Sequence, residues 1–337
     1  MNLLTKNNLI LIIISLGIFT ILISNQMNHE STVEEFNVNS YDEIEKKISN
    51  NNYEYAAWVW SSLDFLKMNK IFIIDVADYF HFNTIYISVD DLLQKKERAR
   101  IEYFQELHTF ISYAKTKNIT IDIVVGDPTW IYPENHNIPY KFIELVIDYN
   151  KKYPAAKIHG IQYDIEPHVL SDYEENKDEI LKNFISLIDG LSDYFKKNNV
   201  SIGFGVVLPH FYDKKQRWTN PIIFNNSSLY VFDHLVNSLD KLDNSSIILM
   251  AYRNFFNGDN GVKGLVSDEF LSTKDKKIKI VIAQEAGNVK PEYVTFYGLD
   301  KEIFLEQLNK IYMYYKSYDN FVGIAVNDLS AYIKLKK

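Results

Sequence analysis

The chain has 337 residues, a formal net charge of −8 and no cysteine. The lack of cysteine excludes disulfides, thiol catalysis and Cys-based zinc or iron–sulfur sites. The negative charge argues against a protein that binds nucleic acid by neutralising phosphates, and 47% hydrophobic residues are enough for a large globular core.

An apolar run lies near the start of the chain, at residues 9–24, and Lys6 precedes it. Its roughly 16 residues fall short of the roughly 20 of a full membrane span and are long for a signal-peptide core. We predict a signal peptide or signal-anchor helix over residues 1–26 and a polar tether over 27–39; a buried core helix is the third interpretation. Because Lys6 favours the cytoplasmic side, the rest of the chain is expected outside, membrane-bound or secreted.

From residue 56 onward, short apolar runs alternate with longer amphipathic stretches. The predicted strands are 56–61, 83–90, 120–127, 158–166, 201–208, 247–253, 279–285 and 322–328. The clearest helical stretches between them are 91–117, 140–153, 172–197, 229–242 and 301–317.

Strands that alternate with helices indicate parallel βαβ units, and eight such units over 40–337 predict an α/β fold, one (β/α)8 TIM barrel. A doubly wound open sheet is the alternative. It would need a glycine-rich loop after its first strand, where this chain has WVWSSLDF. Only residues 331–337 follow the last strand, so 41–49 is predicted to take the place of the eighth helix.

Polar residues follow nearly every predicted strand, where barrel active sites form. They are Asp90, Asp127, Asp164, Glu166, His210, Tyr252, Arg253, Glu285, Asn327 and Asp328. Asp90 and Asp127 precede helical or proline-containing segments, which is more typical of helix caps and turns than of catalysis.

The fourth strand, HGIQYDIEP, carries the most informative pattern. Alternation places Gln162, Asp164 and Glu166 on one face, and the apolar Ile161 and Tyr163 on the other. The apolar face suits the surrounding helices, so the polar face points into the barrel. Two neighbouring inward carboxyls raise one pKa, which a general acid requires. An ion pair with Arg253 is the structural alternative.

The same segment resembles the fourth-strand signature of the family-18 glycoside hydrolases, the chitinase-like enzymes, written DGxDxDxE. In register, His159 and Gln162 stand for the first two Asp residues, Asp164 for the third and Glu166 for the catalytic acid. ILMAYR resembles that family's sixth strand, with Arg253 where Asp is usual. GIAVND resembles its eighth, with Asn327 where Trp is usual. LSDYFKKNNVSIGFGVVLP resembles the segment that leads into its fifth strand.

The resemblance implies substrate-assisted hydrolysis, in which the sugar's own N-acetyl group attacks and Asp164 and Tyr252 steady it. The seventh strand suggests another mechanism, because its alternation points Glu285 inward, opposite Glu166. These two carboxyls would then be the pair of a retaining or inverting glycosidase. Alternatively, Glu285 pairs with Arg253 or binds substrate.

Aromatic residues make up 15% of the chain, and many follow predicted strands, where flat rings can stack on sugars. The predicted substrate-binding residues are Trp58, Trp60, Gln162, Arg253, Asn327, Trp130 and Trp218. Any one of the aromatic residues could instead belong to the core.

No metal or cofactor is predicted, since the histidines lack ligand spacing and 257–261 lacks that of a calcium loop. The sequence therefore predicts a glycoside hydrolase acting on a cell-surface or extracellular polysaccharide or oligosaccharide. Its catalytic residues would be Glu166, Asp164, Tyr252 and Glu285, and its N-terminal helix would contact the membrane. A non-catalytic glycan-binding barrel is the alternative, and a structural surface protein is disfavoured by the inward carboxyl pair.

Overall fold

The computed structural model describes residues 35–49, 53–60, 63–213 and 219–336. The chain divides into two compact units, Met1–Ile44 and Glu45–Lys337. In the first unit only the start of helix α1 (Glu35–Ser49) is described. The segment 1–26, predicted to be a signal or anchor, lies outside the described residues. Helix α1 begins inside the segment 27–39 that the sequence suggests is a tether.

Ten strands follow α1 within the described residues. They are β1 (Glu54–Val59), β2 (Thr84–Ser88), β3 (Thr120–Val125), β4 (Gly160–Tyr163), β5 (Gly203–Pro209), β6 (Ile222–Phe224), β7 (Ser227–Leu229), β8 (Ser245–Met250), β9 (Lys279–Glu285) and β10 (Phe321–Asn327). Eight of them close a barrel of parallel strands in the order β1-β10-β9-β8-β5-β4-β3-β2. The remaining pair, β6 and β7, forms an antiparallel hairpin. The predicted (β/α)8 architecture is confirmed.

Helices connect the barrel strands. After α1 they are α2 (Leu63–Tyr79), α3 (Glu97–Thr116), α4 (Asn137–Lys152), α5 (Tyr173–Lys197), α6 (Val231–Leu239), α7 (Val262–Leu265), α8 (Ser267–Ser272), α9 (Lys301–Tyr315) and α10 (Leu329–Tyr332). The predicted helix 91–117 is divided into a 3-10 helix, Asp90–Gln94, and α3. Among the described helices, none combines the length and apolar composition that crossing a membrane requires.

The end of α1 takes the place of an eighth barrel helix, as the short segment after the last predicted strand led us to expect. The side chain of Glu45 accepts a hydrogen bond from the Tyr332 hydroxyl and lies 3.5 Å from the ammonium of Lys301. Lys47 reaches Asn309 of α9, at 3.5 Å. Since α10 is only four residues long, this last turn covers the seam that the short C-terminal helix leaves open.

Side chains fill the inside of the barrel. Trp58 and Tyr86 meet edge to face at 5.2 Å, and small residues such as Ala283 and Ala325 make room for them. The filled layer is a packed core rather than a channel. Space for a ligand therefore lies above it, at the carboxyl ends of the strands.

A second polar cluster lies at the amino end of the barrel. The hydroxyl of Tyr86 donates to Glu54, while Asp122 accepts from Gln162 Nε2 at 2.7 Å and lies 3.1 Å from His159 Nδ1. Burial, and then the charge of Asp122, raises the pKa of Glu54 to about 7. The folded protein therefore keeps Glu54 protonated at pH values where the unfolded chain has ionised it.

We expect Glu54→Gln to stabilise the protein at alkaline pH. Because the carboxyl pKa is raised in the folded state, the contribution of Glu54 to the free energy of unfolding is fully present at acid pH and is lost as the pH rises through about 7. The variant lacks this loss, so its free energy of unfolding should exceed the parent's by about 3 kcal/mol at pH 8. Urea unfolding at pH 4 and pH 8 measures it, and an equal difference at both pH values would contradict the assignment.

Candidate active site

A cavity of about 360 Å³ opens at the carboxyl ends of the barrel strands. Six residues that the sequence analysis singles out line it: Trp58, Trp60, Asp164, Glu166, Tyr252 and Asn327. Gly126, Pro128, Val169, Val207 and Met250 complete its wall. Cavities of about 800 and 610 Å³ lie towards the amino ends of the strands, but this smaller one holds the paired carboxyls.

The segment after β3 positions the carboxyl pair by close backbone contact. The amide of Asp164 donates to Val125 O at 2.9 Å, and Gly126 passes so close that a Cβ there would lie 1.8 Å from Asp164 O. The amide of Gly126 donates to Asp90 Oδ1 at 2.9 Å. Position 126 thus requires glycine. No sequence pattern indicates this requirement, because the contact with Asp164 joins the segments that follow two different strands.

Asp164 and Glu166 have different environments. Asp164 Oδ1 is fully buried and has no hydrogen-bond partner in the part of the chain that the structure describes. Burial, then Glu166 and Asp90, raises the pKa of Asp164 to about 8. The side chain of Glu166 is 35% exposed, and burial raises its pKa. The pair therefore combines a neutral inner carboxyl with an outer one that faces the cavity.

His168 is a neighbour of Glu166 that the sequence analysis missed. Its Nε2 lies 3.7 Å from Glu166 Oε1, and burial lowers the pKa of the His168 imidazole. Pro167 begins a 3-10 helix that turns the chain back at this point, which brings the side chains at 166 and 168 together. A neutral imidazole leaves Glu166 free of a formal ion pair here.

Asn327 joins a tryptophan to a glutamate across the cavity floor. The Trp60 indole N–H donates to Asn327 Oδ1 at 2.8 Å, and Asn327 Nδ2 donates to Glu285 Oε2 at 2.7 Å. The Gly287 amide donates to Glu285 Oε1 at 2.5 Å. Because an indole can only donate, the orientation of the Asn327 amide is fixed.

Glu285 itself is only 5% exposed and is not among the residues that line the cavity. Burial raises its pKa to about 7, although hydrogen bonds from Gly287 and Asn327 act in the opposite direction. Both of its oxygens accept hydrogen bonds from the protein. The arrangement suits a residue that holds Asn327 in place.

Tyr252 lies close to all three carboxyl groups. Burial raises its pKa well above the usual range, and the charges of Glu285, Asp164 and Glu166 add to the effect. The phenol therefore stays protonated at ordinary pH and can donate a hydrogen bond into the cavity. A donor of this kind can orient a polar group of a bound substrate.

Three of the predicted substrate-binding residues lie elsewhere. Arg253 donates to Tyr252 O at 2.7 Å and stacks over Tyr293, and it forms no ion pair with a carboxylate in the part of the chain that the structure describes. Gln162 is buried against Asp122, and Trp130 packs on Phe142. Trp218 falls outside the described residues.

The two aspartates that resemble caps do serve structural contacts. Asp127 accepts from the Thr129 amide at 2.8 Å at the start of a 3-10 helix. Asp90 accepts from Gly126, as above. Asp328 accepts from the Ala331 amide at 2.8 Å and so caps α10. No group of three or more Asp, Glu or His side chains among the described residues is arranged to hold a metal ion.

No family model matches the sequence, and no curated protein matches it either. Solved structures do resemble the fold. A family 1 β-glucosidase from Thermotoga maritima is 9% identical over 83% of this chain and 88% of its own, with a TM-score of 0.57. A GH18 chitinase from Cycas revoluta, in complex with (GlcNAc)3, is 12% identical over 82% of this chain and 95% of its own, with a TM-score of 0.49.

A third similar structure is a D-psicose 3-epimerase from Clostridium cellulolyticum H10. It is 9% identical over 82% of this chain and 84% of its own, with a TM-score of 0.45. Family-18 chitinases are thus among the structures that this chain resembles. Identities this low show the barrel fold, and since that fold carries many chemistries, function has to be argued from the site.

Replacing Asn327 by Leu tests the role of the amide bridge. We expect the free energy of unfolding to fall by about 1 to 3 kcal/mol, because Glu285 Oε2 loses its donor while still buried. Chemical denaturation measures this, with Ser330→Ala as a matched control in the same segment. A variant as stable as the parent would mean that the bridge contributes little to folding.

Proposed function

We propose that this protein is a glycoside hydrolase in which Glu166 is the general acid. The observation that carries the proposal is the Asp164–Glu166 pair in the cavity. Asp164 is held neutral, with a pKa of about 8, and Glu166 reaches the open space with its own pKa raised. A carboxyl that keeps its proton near neutral pH is what protonation of a leaving oxygen requires.

The geometry favours substrate assistance over a protein nucleophile. Glu285, the alternative nucleophile, does not line the cavity, and both of its oxygens accept hydrogen bonds. Tyr252 and Asp164 do line it, and both keep a proton that they can donate. We therefore assign Tyr252 and Asp164 to the substrate's acetamido group and Glu285 to positioning Asn327.

In the proposed reaction Glu166 gives its proton to the glycosidic oxygen as the bond from that oxygen to C1 breaks. The acetamido oxygen of the same sugar bonds to C1 and forms a cyclic oxazolinium ion. Glu166, now a carboxylate, takes a proton from water, whose oxygen attacks C1 and reopens the ring. Glu166 ends protonated, and one water has been consumed for each bond cleaved.

The substrate class follows from the same cavity. Trp60 supplies aromatic surface, since it is 45% exposed and its indole N–H is held by Asn327, whereas Trp58 is only 1% exposed and packs in the barrel interior. A ring of this kind stacks on the apolar face of a pyranose, and the substrate assistance proposed above requires a 2-acetamido group, so we assign a polysaccharide that contains 2-acetamido sugars. The apolar run at residues 9–24 leads us to propose a substrate outside the cell, at its surface or beyond, with the chain held at the membrane or secreted.

The test is release of reducing ends from a substrate panel by the whole protein. Chitin oligosaccharides, their deacetylated counterparts and neutral β-glucans should be compared at matched concentration. Hydrolysis restricted to the acetylated substrates is expected. Equal cleavage of the deacetylated chains would reject substrate assistance. Cleavage of neutral glucans alone would favour a mechanism in which Glu285 is the nucleophile.

One observation favours a non-catalytic glycan-binding protein instead. Asp164 Oδ1 has no hydrogen-bond partner among the described residues, because Gln162 bonds to Asp122 rather than to Asp164. A carboxyl without that support would be less well oriented for chemistry. Glycan binding with no turnover across the whole panel would establish this alternative.

A further inference from the structure

A separate aromatic pocket lies on the outer wall of the barrel, away from the carboxyl pair. It has a volume of about 330 Å³ and lies where the loop after β8 meets α8 and the end of α9. Tyr315 and Phe270 stack at 4.3 Å and are buried, so they form its floor. Its size is at the lower end of the range for small-ligand pockets.

Two tyrosines form an exposed wall over this floor. Tyr314 is 37% exposed and Tyr318 is 38% exposed, and their rings are stacked with an interplanar angle of 28°. The aromatic surface therefore faces solvent while its lower edge is held by buried rings. Tyrosines placed in this way combine a rigid apolar face with a polar tip.

The rim of the pocket is polar and carries both charges. The side chains of Asn257, Asp259 and Lys263 line it, together with Ser267. Hydroxyl groups can donate to a carboxylate or amide oxygen and accept from an ammonium or amide group. A ligand with several hydroxyls around an apolar ring face would satisfy floor and rim together.

We propose that this pocket is a second carbohydrate-binding site, which takes a neutral pyranose unit of a polysaccharide. The proposal rests on the proposed function, because a protein that cleaves a polymer gains from a second hold on the same polymer. The loop after β8 supplies both Tyr252 of the active-site cavity and Asn257 of the pocket, so one segment connects the two sites.

The pocket could also be considered a cage for a quaternary ammonium ligand, since aromatic rings attract cations. A cation of the protein itself already occupies the site over the Tyr314 ring. The ammonium of Lys263 lies 4.4 Å from the centre of the Tyr314 ring. A second cation beside it would be repelled, whereas an uncharged sugar would not, and this favours the pyranose.

The test compares the whole protein carrying Glu166→Gln with the same protein carrying Tyr314→Ala and Tyr318→Ala in addition. Retention on chitin, cellulose and starch particles is measured as a function of particle concentration. Met313→Ala, a neighbouring exposed side chain on α9, is the matched control. We expect the double variant to lose about tenfold in affinity on the retaining polysaccharide, and the control to bind as the parent does.

Hydrolysis of a short soluble substrate distinguishes failure of the second site from failure of the proposed activity. It is measured on proteins that retain Glu166. The tyrosine variants should leave its kcat/KM unchanged whether or not the second site exists. Equal retention of the double variant and its parent would overturn the second site, as would a parent that binds none of the three polysaccharides. Elution of the parent by choline but not by a soluble oligosaccharide would also overturn it, in favour of a cation cage.

Discussion

Glu166→Gln is expected to lower kcat/KM for the cleaved polysaccharide by about 10³-fold, the contribution typical of a general acid in hydrolysis. The amide has nearly the same shape as the acid but cannot give a proton to the glycosidic oxygen. Since the Glu166 side chain is partly exposed and makes no ion pair with a lysine or arginine among the described residues, the variant should fold as the parent does. Initial rates at substrate concentrations well below KM measure the effect.

Two measurements make this result specific. Glu134→Gln alters an exposed carboxyl in the loop region after β3 and should leave the rate unchanged. Binding of a soluble oligosaccharide to Glu166→Gln should stay within about twofold of the parent, because the acid acts on the transition state more than on the bound substrate. If Glu166→Gln retained full activity, another group would have to be the acid.

Asp164→Asn is expected to stabilise the protein at pH 8 while reducing its activity, because an amide offers the substrate's acetamido group a hydrogen bond of different geometry and strength from that of a carboxylic acid. The pKa of Asp164 is raised from 3.8 to about 8 by burial, then by Glu166 and Asp90. The unfolded chain releases the proton near pH 4, whereas the folded chain keeps it. Stability is therefore complete at acid pH and falls as the pH rises towards about 8.

Asn removes this pH dependence because it carries no charge in either state. Each unit of pKa shift corresponds to about 1.4 kcal/mol, so the gain at pH 8 should be at least about 2 kcal/mol. Urea unfolding of parent and variant at pH 4 and pH 8 measures the gain. Asp178→Asn, on the exposed face of α5, is the matched control and should show no gain at either pH. A variant less stable than the parent at pH 8 would mean that Asp164 is ionised and paired in the folded state.

The two substitutions separate what the pair does. Glu166 faces the cavity and has a direct part in the chemistry, so its loss should affect rate far more than stability. Asp164 is buried deeper, so its loss should affect both, in opposite directions. A barrel that tolerates an unpartnered Asp164 Oδ1 has given up stability at this position, which is common where a buried group serves function.

Much of the fold could be predicted from the order of the strands and helices. All eight predicted barrel strands overlap observed ones, and 279–285 coincides with β9. The residues at which the strands begin and end are less predictable. The fourth strand was expected to run to Glu166, but β4 ends at Tyr163, because Pro167 and a 3-10 helix turn the chain. Propensity and alternation describe strand interiors, whereas strand ends depend on what the next segment packs against.

The order of strands and helices and the alternation along the fourth strand are enough to predict the barrel and the inward direction of Asp164 and Glu166. Regular alternation of apolar and polar residues along a strand is local, and it fixes which side chains face the barrel interior. How deep each of them lies depends on the packing of the strands against one another. Gln162 shares a face with Asp164 but lies about 7 Å below it along the strand, so it meets Asp122 in the packed interior instead of the cavity.

The partners across the barrel were likewise a matter of tertiary structure. Trp60 follows β1, whereas Glu285 and Asn327 lie on the paired strands β9 and β10. Since β1 and β10 are the first and last barrel strands along the chain, they become neighbours only when the barrel closes. Pairing of β3 with β4 brings Gly126 against Asp164, whose Oδ1 is buried without a hydrogen-bond partner among the described residues. Local patterns therefore predict which chemical groups enter the barrel, whereas strand pairing and barrel closure set which of them meet, because those contacts join segments that no local pattern relates.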